Sequence, residues 1–451
     1  MKIGYLIILP FFFLVTRAPA QTSWVALPGA PNSWRFDDIF FLNPLKGWAI
    51  NPIHSKVPPG QYARIFTTND GGRTWIKLLD NSRTFFRAVG FADAQHGWVG
   101  NLGLYTADTN FMYSTADGGV SWQPVTAMAT GSKPKGICGI SVASDSVVYA
   151  YGRAGGPAQI IKSSNKGLSW DELYPGALTS SLIDGYFFHP DSGFVTGTYD
   201  TNMKGQILLT EDGGHSWHPV YQGSRPHEYV WKITFPSKMI GYATIQGSVT
   251  SRPDTSYFLK TTDGGRSWQE HLFRTDTFYK LQGIGFINDS TGWIGGDEHL
   301  PVTYKTTNGG QTWSADSTLG IDIPPYNSPK GFSINRFRRF GDSLMYAAGK
   351  TIYRFGNAPA LGTQVFSRKQ ALVKLYPNPF SGYLEVDLKT FAPALNPHLT
   401  VYTLSGQVVL KQVPVREGLN RYTMPVLSPG IYVFRILSGS EELASGKLQA
   451  E

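Results

Sequence analysis

Apolar and polar residues alternate over short stretches along most of this chain, with the period of two that is typical of β-strands. Clusters of Gly, Asn, Asp, Ser and Pro separate these stretches and favour turns. Outside the N-terminus, no long stretch shows the period of about 3.6 residues that an amphipathic helix requires. The pattern therefore predicts an all-β protein built from many short strands.

One turn motif recurs six times in the middle of the chain and ends each time in a tryptophan. Successive tryptophans lie 47, 48, 47, 51 and 45 residues apart, which suits one four-stranded propeller blade per repeat. The copies, which we call boxes, are residues 68–75, 115–122, 164–170, 211–217, 262–268 and 307–313.

Each box has the composition of a hairpin turn. An Asp or Asn can bond the backbone of its own turn, and glycines can adopt positive φ. The tryptophan that follows is predicted to pack between neighbouring sheets. We interpret the carboxylates as structural rather than catalytic, because six copies around a ring cannot converge on one site. These structural residues are Asp70, Trp75, Asp117, Trp122, Asn165, Trp170, Asp212, Trp217, Asp263, Trp268, Asn308 and Trp313.

A second element, a small residue followed by an aromatic one, recurs seven times; it is clearest at residues 47–48, 97–98, 193–194, 241–242 and 292–293. There are seven copies of this element, one near the start of each repeat, but only six boxes. One repeat therefore lacks its outer strand. Residues 23–27 resemble the strands that follow the boxes, so we expect them to pair with residues 351–355 and close the ring. Residues 21–356 are thus predicted to form a seven-bladed β-propeller.

The two ends of the chain differ from this array. Lys2, an apolar run and Ala18-Pro19-Ala20 predict a signal peptide over residues 1–20. Residues 357–373 are predicted to be a linker. Residues 374–451 contain short alternating strands that predict a small Ig-like β-sandwich.

The boxes resemble the Asp-box (bacterial neuraminidase repeat) propellers. The single array is similar to the photosystem II assembly factor type, a non-catalytic family, over about three quarters of the chain. The last region resembles the type A C-terminal sorting domain of the type IX secretion system, carried by Bacteroidetes proteins. That resemblance implies export, with the secretion machinery as a partner, to a secreted or cell-surface, outer-membrane-attached location. Its residues are Tyr376, Pro377, Asn378, Pro379, Gly430, Tyr432, Gly446 and Lys447.

Composition and motif content limit the kinds of functional site that this chain can contain. Cys138 is the only cysteine, so no intramolecular disulfide can form. We expect no cofactor and no metal, because the mature sequence has no zinc spacing, phosphate loop or dinucleotide fingerprint. The formal net charge of +8 is a mild bias that fits acidic glycans or lipopolysaccharide better than nucleic acid in an exported protein. We expect a monomer with no transmembrane segment after signal cleavage.

Long irregular loops are expected on the face opposite the boxes, and functional residues favour such loops. We therefore predict a binding face there for a glycan or a protein. Its central candidates are Arg252, Tyr326, Lys330, Arg336, Arg338 and Arg339, and its further members are His54, Lys56, Lys135 and Asp254.

The enzymatic alternative is a glycoside hydrolase of sialidase-like architecture. Arg35 stands in the nearest match to the sialidase arginine motif, but Phe36-Asp37 replaces the expected Ile-Pro. Glu228 and Tyr229 are adjacent, so their side chains should face apart on a strand. A xyloglucanase-type site would need a second propeller. We therefore predict no catalytic residues and favour non-catalytic binding, which a convergent carboxylate pair about 5–10 Å apart would contradict.

Overall fold

The computed structural model describes residues 23–31, 33, 35–52, 63–81, 84–103, 108–152, 156–173, 178–247, 255–275, 280–297, 303–319, 334–356, 364–368, 371–390, 396–403, 406–438 and 441–450. These residues form strands and turns without an α-helix. They therefore contain no helix that is long and apolar enough to cross a bilayer. The predicted signal peptide lies outside them.

The strands of the larger region fall into seven sheets, which we number in chain order. Sheet 7 combines the first strand of the chain with three late ones, and sheet 3 has five strands. The strands are β1 (Trp24–Ala26), β2–β5 of sheet 1 (Asp38–Phe41, Gly47–Asn51, Ala63–Thr68, Ile76–Asn81), β6–β9 of sheet 2 (Phe86–Phe91, Gly97–Asn101, Met112–Thr115, Gln123–Pro124), β10–β14 of sheet 3 (Met128–Thr130, Gly139–Val142, Val148–Gly152, Gln159–Ser163, Trp170–Leu173), β15–β18 of sheet 4 (Ser181–His189, Ser192–Thr198, Gly205–Thr210, His218–Gln222), β19–β22 of sheet 5 (Glu228–Thr234, Gly241–Gly247, Ser256–Thr261, Gln269–Arg274), β23–β26 of sheet 6 (Lys280–Phe286, Gly292–Asp297, Thr303–Thr306, Ser314–Ala315) and β27–β29 of sheet 7 (Arg336–Phe340, Leu344–Ala348, Ile352–Phe355).

The seven sheets form a ring. The innermost strand of each sheet contacts that of the next, and β27 of sheet 7 contacts β2 of sheet 1. Each sheet is an antiparallel meander, apart from β10, which adds to β14 in parallel as an extra edge strand. In a meander, the turns after the first and third strands lie on one face. We call this the box face, and the opposite one the loop face.

The N-terminal strand closes the ring as the sequence predicted. Trp24, Val25 and Ala26 pair antiparallel with Phe355, Arg354 and Tyr353. Trp24 is buried, and its ring lies edge-on to Trp293 at a centroid distance of 5.3 Å. Sheet 7 is therefore built from both ends of the array, and β1 covers the edge that β29 would otherwise expose.

The small-aromatic element packs neighbouring sheets together. In five sheets a phenylalanine stands six residues before the glycine, and a Cβ on that glycine would lie less than 3 Å from the phenylalanine ring. The glycine is therefore needed for space. In sheet 2 the ring of Phe91 lies over Gly97 and stacks on Trp48 of sheet 1 at 3.5 Å and 7°. Similar stacks join Phe41 to Tyr346 and Phe286 to Tyr242.

Replacing Gly97 with alanine is expected to lower the free energy of unfolding by about 1–3 kcal/mol, since the new methyl group overpacks a closed core. Its Cβ would lie 2.4 Å from the Phe91 ring. Denaturant unfolding measures the loss. Gly430→Ala is the matched control, because its nearest neighbour is 4.0 Å away. An equal effect of both changes would contradict the steric explanation.

The C-terminal region forms two four-stranded sheets around their own apolar core. One has the order β30-β31-β32-β35 and the other β34-β33-β36-β37. Their strands are β30 (Gln364–Arg368), β31 (Ala371–Tyr376), β32 (Tyr383–Thr390), β33 (Pro397–Thr403), β34 (Val408–Pro414), β35 (Gly418–Thr423), β36 (Gly430–Ser438) and β37 (Glu441–Ala450).

The predicted linker over residues 357–373 is too long. Its second half contains β30 and the start of β31, which pair with each other from Arg368 and Ala371 outward. The continuous apolar run Ala371-Leu372-Val373 was the missed signal. The C-terminal unit thus begins at or before Gln364.

Candidate functional site

The boxes are hydrogen-bonded turns, in keeping with the structural role predicted for them. In the first box, the Asp70 carboxylate accepts bonds from the Thr74 amide at 2.9 Å, the Thr74 hydroxyl at 2.6 Å and the Thr68 hydroxyl at 2.8 Å. Asp117, Asn165, Asp212, Asp263 and Asn308 accept equivalent bonds. Hydrogen bonds from Ser121 lower the pKa of Asp117 to about 2, the opposite of what a general acid needs.

Asp70→Ala is expected to cost about 1–2 kcal/mol of unfolding free energy, because three hydrogen bonds of the turn are lost. Asp70→Asn is the control. Asparagine fills this position in the third and sixth boxes and keeps the backbone bond from Ser169 or Thr312. Chemical denaturation compares the two variants, and a larger loss for asparagine than for alanine would exclude this explanation.

The box tryptophans are buried to different depths. Trp170, Trp217 and Trp268 are buried, whereas Trp75, Trp122 and Trp313 are partly buried. The indole N–H of Trp217 donates to the carbonyl of its own box glycine, Gly214. These rings hold the boxes against the sheets.

The axis of the ring carries a buried charge cluster that no single sequence segment indicated. Arg336 of sheet 7 donates through Nε to Asp38 of sheet 1 at 2.8 Å. Its two terminal nitrogens bind Asp184 of sheet 4, across the axis, at 2.8 and 3.0 Å. The Nζ of Lys232 lies 3.7 Å from Asp184. We call these four residues the axial cluster.

Charges in the axial cluster shift one another's protonation. Burial opposes ionisation of Asp184, but the charges of Arg336 and Lys232 outweigh it and hold the Asp184 pKa below its ordinary value. Burial lowers the pKa of Lys232 to about 8, and repulsion from Arg336 contributes. Within the described residues, the Lys232 ammonium is buried and makes no hydrogen bond. The axial cluster thus contains a buried cation that is ion-paired at 3.7 Å but makes no hydrogen bond among the described residues.

A cavity of about 230 Å³ lies beside the axial cluster and is lined by the inner strands of sheets 4 to 7. Inner strands run from the loop face to the box face. The lining residues of β15, β19 and β23 lie at or beyond the middle of these strands, whereas those of β27 begin at its first residue. The cavity is therefore on the box-face side. Lys232, Arg338 and Arg339 supply its cationic wall, and Tyr186 and Phe235 supply aromatic surface. We call it the box-face cavity.

Arg338 and Arg339 are held in place by neutral or exposed acceptors. Arg338 donates from Nε to the Ile39 carbonyl at 3.0 Å, and its guanidinium lies 5.2 Å from the Phe40 ring. Burial lowers the pKa of Arg338, and repulsion from Arg336 adds to this. Arg339 is paired with the exposed Asp342 at 3.2 Å. Among the described residues, no carboxylate forms an ion pair with Arg338.

The structure corrects the predicted position of the arginine cluster. Only Arg336 stands near the loop-face end of β27, and its three bonds to Asp38 and Asp184 commit it to the axial cluster. Arg338 and Arg339 follow toward the box face, because the strand runs in that direction. The predicted candidates Arg252, Tyr326, Lys330, His54, Lys56 and Asp254 lie outside the described residues, and Lys135 is exposed.

Sequence reasoning missed Lys232, Asp184 and Asp38. Each interrupts an otherwise buried inner strand with a charge, which was an available signal. The contacts of Asp184 and Asp38 with Arg336 span more than 150 residues and depend on closure of the ring. Glu228 and Tyr229 do face apart, as expected: Glu228 binds Arg225 at 2.8 Å, while the Tyr229 hydroxyl contacts the Met203 sulfur. The described residues contain no cluster of three or more His, Cys, Asp or Glu that could hold a metal ion.

In the C-terminal unit, the Tyr376-Pro377-Asn378-Pro379 segment is fastened to the last strand. The Asn378 side chain accepts a bond from the Gln449 amide at 2.8 Å, and the Phe380 amide donates to the Gln449 carbonyl. Gly430 pairs with Ala450, and Lys447 is exposed beside Val433. Tyr432 is buried and donates to the Ser428 carbonyl.

Comparison with known proteins gives a family match for the C-terminal region and a relative of low identity for the chain. Residues 374–449 match the family described as "Secretion system C-terminal sorting domain". The chloroplastic photosystem II stability/assembly factor HCF136 of Oryza sativa subsp. japonica is 23% identical over 345 residues, which is 66% of this chain and 75% of that protein.

Solved structures agree on the fold of the ring. A structure of YCF48 bound to D1 peptide matches with a TM-score of 0.52 and 16% identity, over 76% of this chain and 98% of that one. The GH74 xyloglucanase from Xanthomonas campestris matches with a TM-score of 0.54 and 11% identity, over 84% and 67%. The chain is thus an all-β protein with a β-propeller and a secretion-system sorting domain, which directs export to the cell surface or out of the cell.

Proposed function

We propose that this chain is an exported, non-catalytic binding protein whose seven sheets are the blades of one Asp-box propeller. Its ligand is a protein segment bearing carboxylates, which binds at the box-face cavity. The Ig-like C-terminal sandwich delivers the protein through the type IX secretion system after a signal peptide is removed. The single observation that carries the ligand assignment is the buried ammonium of Lys232 beside that cavity, which makes no hydrogen bond within the described residues.

The charge balance of the cavity favours an anion. Asp38 and Asp184 are both bound to Arg336, and Asp184 also pairs with Lys232 at 3.7 Å, so these two carboxylates form no ion pair with Arg338 or Arg339. Lys232, Arg338 and Arg339 line one cavity of about 230 Å³, which has room for a carboxylate-bearing side chain or a chain terminus. Charge-assisted bonds to a carboxylate would satisfy the Lys232 ammonium and offset its burial.

Two relatives favour a protein ligand over a glycan. One is named as an assembly factor, and another was solved with a bound peptide. Their identity to this chain is low, so they support the class of ligand and not its sequence. A sugar acid at the same cations is the competing outcome.

The carboxylates favour binding over the hydrolase alternative. Asp38 and Asp184 are the converging carboxylates at the axis, and one guanidinium bridges them. A glycosidase acid needs a raised pKa, whereas the pKa of Asp184 is lowered. Because Arg336 binds both carboxylates of this pair, neither is free to act as the general acid or as the nucleophile.

Binding of short acidic peptides to the mature full-length chain tests the proposal. Titration calorimetry should show saturable binding to an acidic peptide and none to the same peptide with Gln and Asn at the acidic positions. Arg338→Gln with Arg339→Gln should weaken binding about tenfold or more, since charged hydrogen bonds contribute about 1.5–3 kcal/mol each.

The matched control is Arg73→Gln with Arg266→Gln, which removes two exposed box arginines and should leave affinity unchanged. A melting curve of each variant separates lost binding from lost folding. Equal binding by both double variants would overturn the site. Preference for uronic acid oligosaccharides would overturn the protein ligand, and turnover of chromogenic glycosides would overturn the non-catalytic function.

A further inference from the structure

The box-face cavity has an aromatic wall that faces its arginines. Tyr186 of sheet 4 and Phe235 of sheet 5 line the cavity, and their ring centroids are 5.1 Å apart. The ring of Phe188 packs against both, at centroid distances of 5.1 Å from Tyr186 and 4.8 Å from Phe235. We call these three residues the aromatic wall. It continues the lining of the cavity along β15 toward the box face.

Phe188 is exposed where its counterparts in other sheets are covered. It directly follows Phe187, which stacks on Tyr149 of the preceding sheet. The residue in the same place is Leu42 in sheet 1, which is partly buried, and Ile287 in sheet 6, which is buried. Phe188 is 37% exposed. A ligand in the cavity can therefore reach this ring from solvent.

A bulge in β15 directs the Phe188 side chain. Phe187 pairs with Gly193 and His189 pairs with Ser192, so Phe188 is an extra residue on β15 with no cross-strand partner on β16. Bulges re-aim a side chain and are frequent next to functional sites. The backbone of β15 thus determines where the exposed ring points.

The aromatic wall and the arginines lie on different sides of one cavity. Arg338 and Arg339 belong to sheet 7, which is not a neighbour of sheet 4 in the ring. Burial raises the pKa of Tyr186, and the positive charges of Arg339 and Arg338 oppose this rise. Side chains of adjacent residues in an extended peptide point to opposite sides. An extended segment in the cavity would present one side chain to the arginines and the next to the aromatic wall.

We propose that the acidic segment bound at the box-face cavity carries an apolar side chain directly beside its carboxylate-bearing residue, and that the aromatic wall binds this side chain. This inference rests on the proposed function, which assigns only the carboxylate. Burial of the ligand's apolar side chain against Phe188 removes apolar surface of both from water, which is favourable. Aromatic residues and arginine are also enriched at the centres of protein interfaces. The aromatic wall then selects among acidic segments.

A long-chain carboxylic acid is the competing ligand, because it also combines an anion with apolar atoms. The cavity of about 230 Å³ favours the peptide, since it has room for a side chain rather than for a long alkyl chain. The wall beyond the cavity is one exposed ring and not a closed apolar channel.

Titration calorimetry on the mature full-length chain tests the inference with three peptides of equal charge and length. One has leucine directly after the aspartate, the second has serine there, and the third has the leucine one position later. The first should bind about fivefold or more tightly than the other two, because a partly buried leucine side chain contributes in this range.

Variants of Phe188 connect this preference to the aromatic wall. In Phe188→Ala the three peptides should bind within about twofold of one another, while replacement of the aspartate by asparagine should still abolish binding. Phe188→Leu should restore part of the preference. Leu168→Ala is the matched control and should leave it unchanged, since Leu168 is an exposed apolar residue of the third box, in sheet 3. Melting curves verify that each variant is folded.

The outcomes separate this inference from the proposed function. If the aspartate peptides bind but leucine and serine are equivalent, the inference is wrong and the proposed function stands. An undiminished preference in folded Phe188→Ala protein would have the same meaning. Decanoate that binds as tightly as the leucine peptide would overturn the assignment of the apolar group to a peptide. If no aspartate peptide binds, both the inference and the proposed ligand are wrong.

Discussion

Trp24→Ala is expected to lower the free energy of unfolding of the propeller by about 3–5 kcal/mol, the range for removing a large buried aromatic side chain. Trp24 is only 3% exposed and contacts the rings of Trp293, Phe337 and Phe355. It is the buried residue of a three-residue strand, and its ring packs that strand against sheets 6 and 7. Denaturant unfolding followed by tryptophan fluorescence measures the loss.

Val25→Ala is the control for the closing strand. Val25 has the same backbone pairing but is 39% exposed, so its truncation should cost much less. If the two variants lost equal stability, packing of Trp24 would not be what closes the ring.

Asp184→Ala is expected to cost about 3–5 kcal/mol, because it leaves Arg336 and Lys232 buried without their shared counter-charge. The effect should depend on pH. The pKa of Asp184 is lowered in the fold, so its contribution is present above the ordinary Asp pKa and is lost as the pH falls below it. Asp184→Asn should lack this part of the acid sensitivity.

Unfolding curves between neutral and acidic pH test the prediction for the axial cluster. Arg336→Met combined with Asp184→Leu should recover part of the stability that either single change removes, since a buried pair can be replaced by apolar side chains. Losses that simply add in the double variant would contradict a coupled cluster.

Much of the ring could be predicted from local sequence. The boxes set the turns and the repeat length, and residues 23–27 carried the apolar pattern of an outer strand. The six-residue spacing from phenylalanine to glycine was also present, but its meaning requires the ring of one residue to lie over the other. The parallel addition of β10 had no such signal, because a strand of three residues is too short to show a period.

The candidate functional residues were harder to predict from the sequence than the fold was. Arg336, Arg338 and Arg339 were noticed as a cluster, but alternation along β27 and the direction of the strand give them different neighbours. Lys232 and Asp184 become informative only when sheets 4, 5 and 7 meet at the axis. Contacts of this kind follow from ring closure and not from any local pattern.

The account of the axial cluster and of the box-face cavity depends on a closed ring, and a cross-link between its ends tests this most directly. Val25 and Arg354 are paired across β1 and β29, and the native Cys138 is buried. In the mature chain with Val25→Cys and Arg354→Cys, mild oxidation should form a disulfide that peptide mapping detects and that raises the unfolding temperature. Cysteines that remain reduced in the folded, oxidised protein would show that the two ends do not meet, and would contradict the closed ring.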